Sequence, residues 1–87
     1  MGALDTIIEQ GPLPVSLGSM PVGVHALVVR VNGDRDITRR LLSLGLRVGS
    51  EVVVLQRRGR SVVVANGAGT RVALGATIAE KVLCRGA

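Results

Sequence analysis

The one imidazole and the one thiol of this 87-residue chain, His25 and Cys84, are the side chains to weigh first as metal ligands or nucleophiles. One histidine and one cysteine fall short of the four ligands of a closed zinc site. No pair of carboxylates and no Ser/His/Asp arrangement has a spacing suited to proton transfer or nucleophilic attack, so no catalytic residue is expected. Asp34 and Asp36 flank Arg35 in a turn, where helix capping is the expected duty. Gly67-Ala68-Gly69 opens a strand rather than a helix and reads as a turn, not a phosphate loop. What remains for His25 is a share in a divalent transition-metal site, iron or zinc, completed across a homodimer. The alternative is an exposed strand residue near a barrel rim. Cys84 shares a strand face with Val82 and reads as a small buried apolar side chain. A lone cysteine also excludes an internal disulfide and fits a reducing cytoplasm.

The other chemically marked side chains are arginines. The net charge of +5 is concentrated in residues 30 to 60, where eight arginines face Asp34, Asp36 and Glu51. Ten of the eleven basic residues are arginine, whose planar fork pairs with carboxylate or phosphate. Arg39 and Arg40 on a helix, Arg47 beyond it, and Arg57, Arg58 and Arg60 at a hairpin tip form the candidate partner-binding surface. A solvated basic face is the plainer alternative. Leu42 and Leu46 are possible apolar anchors beside these arginines, although helix patterning favours the core for both.

The elements that must hold these residues are short. Gly11-Pro12-Leu13-Pro14 breaks any helix, so residues 1–15 read as an N-terminal arm and 16–87 as the folded domain. Val24 to Asn32 reads as a strand, and Asp36 as the N-cap of a helix over Ile37 to Leu44. Gly45 follows as a left-handed stop that lets Leu46 touch Leu41. Further strands are expected from Ser50 to about Arg57, Ser61 to Ala65, Thr70 to Leu74 and Val82 to Arg85. Arg58-Gly59-Arg60 is the tight hairpin connection, and Gly75 to Glu80 a single helical turn. Met20-Pro21-Val22-Gly23 and Leu46-Arg47-Val48-Gly49 look like one loop-to-strand solution used twice.

Five short strands and one inserted helix make a mainly β fold, a small and partly open antiparallel barrel. Its core must be built from small branched residues, because the chain has 15 valines and 11 leucines but no Phe, Tyr or Trp. The missing aromatics exclude a groove for PxxP peptides and remove the stacking platforms that hold single-stranded nucleic acid. Nucleic-acid binding by a basic barrel is therefore a weaker reading, and it would show a steep loss of affinity with salt. No apolar run approaches the roughly 20 residues of a membrane span.

The segment Arg39-Arg40-Leu41-Leu42-Ser43-Leu44-Gly45-Leu46, followed by Gly49-Ser50-Glu51-Val52-Val53-Val54, resembles the FeoA family of ferrous-iron-transport accessory proteins. Leu17 to Gly23, Arg71-Val72-Ala73-Leu74, Ala79 and Val82 also fit, so the resemblance covers about residues 16 to 85. Two departures stand out. The loop after the second strand is shorter than is common in the family, and Cys84 replaces a usual aliphatic residue. The resemblance implies an SH3-like barrel in the cytoplasm, without enzymatic activity, acting on the FeoB membrane permease and its cytosolic GTP-binding domain. Similar barrels form C-terminal domains of iron-dependent repressors.

Overall fold

The structure is a computed structural model that describes residues 14–86. Most of the N-terminal arm expected over residues 1–15 therefore lies outside the described residues. Along the chain come β1 (Val15–Ser16), a 3-10 turn (Leu17–Ser19), β2 (His25–Val31), α1 (Arg35–Ser43), β3 (Glu51–Arg58), β4 (Ser61–Ala65), β5 (Arg71–Leu74), α2 (Ala76–Ala79) and β6 (Val82–Gly86). The strands form one antiparallel sheet in the order β1-β6-β2-β3-β4-β5. That is six strands where five were expected. The extra one is β1, whose Val15 pairs with Cys84 and Ser16 with Leu83. Two residues leave no alternation to read, and the first of them, Val15, falls within the arm that the sequence suggests over residues 1–15.

Strand alternation sorts the side chains. Val52 and Val54, Val62 and Val64, Val72 and Leu74, and Val82 and Cys84 all point inward and are buried. Leu17, Met20, Leu41, Leu46 and Ala79 close the ends of this core, which among the described residues holds no buried polar side chain. The sheet bends where register slips, between Val28 and Arg30 against β6 and between Val54 and Gln56 against β4. Such bulges sharpen the local twist and let a short sheet curl around its own core.

The two similar loops are related in space as well as in sequence. The Gly23 N–H donates to Val54 O, and the Gly49 N–H donates to Val28 O, both at 2.8 Å. A shift of 26 residues carries Gly23 to Gly49 and Val28 to Val54, and it also carries one bulge onto the other. The centre of this local two-fold relation is the β2–β3 pair Ala26 and Val52.

Helix α1 begins two residues earlier than the sequence suggested. Asp34, not Asp36, is the N-cap: its backbone is extended, and Oδ1 accepts a 2.9 Å hydrogen bond from the Ile37 N–H. Asp36 lies inside the first turn, where its charge favours the helix N-terminus without capping it. The C-terminal stop is as expected. Gly45 has φ +81°, the Leu46 N–H reaches back to Leu41 O at 2.9 Å, and the Gly45 N–H bonds Leu42 O at 3.0 Å. Both Leu41 and Leu46 are driven into the core by that arrangement.

Candidate interaction surfaces

The arginines singled out in the sequence fall at two ends of the barrel. Strand β3 separates them, since its eight residues span roughly 20 Å from Glu51 to Arg58. At one end lie α1, the turn after it and Arg39, Arg40 and Arg47. At the other lies the β3–β4 hairpin tip with Arg57, Arg58 and Arg60.

The hairpin end is a packed junction. Arg57 pairs with buried Val62, so its side chain enters on the inner face. There the guanidinium Nη1 donates to the carbonyl of Gly18 in the 3-10 turn, while Nη2 is buried without a partner among the described residues. A Cβ at Gly18 would stand 3.1 Å from Arg60 O and 3.6 Å from Ala79 Cβ, which shows how tightly the turn, the hairpin and α2 meet. Arg60 reaches across to Glu80 at 2.8 Å. Arg57 thus ties the hairpin to the 3-10 turn, Arg60 makes an exposed ion pair with Glu80, and Arg58 is the hairpin arginine left exposed without an ion pair among the described residues.

The helix end differs. Arg39, Arg40 and Arg47 are all exposed, and none pairs with a described carboxylate. The turn Asn66 to Thr70 braces the end of α1: Asn66 Nδ2 donates to Leu44 O at 3.2 Å, and Asn66 Oδ1 accepts from the N–H groups of Ala68 and Thr70. Leu42 did not go to the core as its helical position suggested. It is 54% exposed, because the short α1 turns only Leu41 fully inward. Leu46 is buried.

His25 and Cys84 do not come together. β2 and β6 are neighbours, but Cys84 faces inward opposite Val28 and is wholly buried. Desolvation pushes its thiol up to about 11, so at neutral pH it is a protonated, apolar-like side chain. His25 faces outward on β2, with Nδ1 at 3.6 Å from Glu51 Oε1, above a shallow depression bounded by Val53, Ala65, Asn66 and Gly67. Glu51 was not singled out in the sequence; the antiparallel register that sets Leu27 against Glu51 brings it beside His25. These two donors fall short of a closed metal site, and no group of three or more His, Cys, Asp or Glu side chains gathers among the described residues. No helix there is long and apolar enough to cross a membrane.

The FeoA domain family matches residues 15–86. A crystal structure described as iron uptake regulatory protein (FeoA) shares 31% identity, with 85% of this chain and 97% of that one covered at a TM-score of 0.76. The FeoA protein from Chlorobium tepidum is 26% identical, with 83% and 70% covered and a TM-score of 0.75. A manganese-dependent transcriptional repressor, in complex with manganese, is 26% identical at a TM-score of 0.79 over 88% of this chain. The chain spans only 38% of that repressor's length. No curated protein matches the chain.

Proposed function

Since the chain belongs to the FeoA family, whose members are small accessory proteins of ferrous iron transport, we propose that it docks on the cytosolic GTP-binding part of the FeoB permease and promotes iron uptake without catalysing a reaction itself. The observation that carries this reading is the division of labour among the arginines. Two of the three at the hairpin, Arg57 and Arg60, are engaged within the fold and leave only Arg58 without a described partner, whereas Arg39, Arg40 and Arg47 all project unpaired from the helix end. Exposed guanidinium groups of this kind pair with carboxylates on a partner and accelerate encounter. The site lies in the cytoplasm at the membrane's inner face, reached through the permease rather than by insertion.

The test is uptake of radiolabelled ferrous iron by cells lacking this chain but retaining the permease. The reading expects low uptake, restored by the wild-type chain and restored poorly by a variant with Arg39, Arg40 and Arg47 changed to Glu. Full restoration by that variant would remove the arginine end from the mechanism, and undiminished uptake without the chain would end the proposal.

A further inference from the structure

Beside the unpaired arginines, α1 stands off from the sheet and leaves a groove. Its floor and walls are Val29 and Val31 of β2, Leu42 of α1, and Leu46 and Val48 of the turn that follows, enclosing about 420 Å³. Leu42 and Val48 are 54% and 60% exposed, the latter the highest value among the large apolar residues described. A small domain with this much aliphatic surface in one concavity gains by covering it. The rim carries the opposite character: Arg30 and Arg47 line the same groove, and neither is in an ion pair with a described residue.

A concave aliphatic floor framed by cations fits an occupant with a bulky apolar side chain at its centre and carboxylates at its edges. A second copy of this chain fits poorly. With a net charge of +5 concentrated in residues 30 to 60, two such faces would set arginine against arginine. We propose that this groove receives an acidic amphipathic segment of the permease's cytosolic part, two or three of whose apolar side chains seat on Leu42, Val48 and Val29 while flanking Asp or Glu residues meet Arg30 and Arg47. The assignment rests on the docking reading and adds its place and its chemistry. Apolar anchors desolvated in a pocket carry most of the binding energy in such interfaces, and charges at the rim act chiefly on encounter rate and register.

Capture of the full chain by detergent-solubilised FeoB permease from the same genome tests this. Three variants are compared with wild type: Leu42→Ser with Val48→Ser in the groove, Arg30→Glu with Arg47→Glu at its rim, and Arg58→Glu at the hairpin end. Both groove residues are exposed, so the serine variant should keep the wild-type melting transition; the rim variant reports on the same site with the apolar surface intact. The expected result is a loss of affinity of about tenfold or more for the groove and rim variants, with Arg58→Glu within about twofold of wild type. If wild type is not captured at all, the docking reading itself fails. If wild type is captured and the groove and rim variants bind equally well, docking stands and the groove assignment is overturned. A groove variant that changes the chain's own oligomeric state would give this face to a second copy and overturn the assignment too.

Discussion

Cys84 shows most plainly how placement decides the chemistry of a residue. Its strand β6 neighbours β2, yet strand alternation turns Cys84 inward and leaves His25 outside, so the thiol and the imidazole share no face. The cysteine's place as a core residue was legible because Val82 sits two positions earlier on the same face. Glu51 as the companion of His25 was not, because it depends on the β2–β3 register, which no local pattern states. The buried thiol makes a pH prediction with a definite sign. Its folded-state value is raised from 9.0 to about 11, so the folded state holds the proton more tightly than the unfolded chain does. That contribution to stability is complete below about pH 9 and is lost as pH climbs toward 11. Denaturant titrations across that window should show wild type losing stability relative to Cys84→Ala. In the native protein near neutral pH the thiol should resist alkylation until the barrel unfolds.

Elements were legible wherever a stop was written in residue types. The end of α1 is the best case: Gly45 takes φ +81°, and the hydrogen bonds from Gly45 and Leu46 close the last turn as the sequence implied. The start is ambiguous in the sequence because Asp34 and Asp36 are both good caps by type, and only the chain's path out of β2 makes Asp34 the extended residue. Strand β1 leaves no signal in the sequence, since two residues carry no period. The C-terminal stop also holds the neighbouring turn, because a Cβ on Gly45 would lie 2.5 Å from Asn66 Nδ2. Gly45→Ala therefore imposes a left-handed alanine and displaces the amide that bonds Leu44 O. Thermal or chemical denaturation should register a loss of at least about 1–2 kcal/mol. Gly75→Ala is the control, with nothing near its Cβ and an ordinary φ of −66°, and it should be close to neutral.

On the scale of the whole molecule, the barrel keeps two jobs apart. One end, where the 3-10 turn, the hairpin tip and α2 meet, is fastened by Arg57 on Gly18 and by Arg60 on Glu80. The other presents unpaired arginines around an aliphatic groove. The sequence showed the arginines as one surface because it lists Arg39 to Arg60 in a row; the length of β3 pulls them to opposite ends. Its local two-fold relation, from Gly23 and Gly49, was visible as a pair of similar loops but not as paired bulges. The most direct measurement of this division is backbone hydrogen exchange of the full chain, alone and with the solubilised FeoB permease. The account predicts added protection in residues 29–31 and 38–48 and none at the 58–61 hairpin. Protection at the hairpin with an unchanged helix end would contradict it.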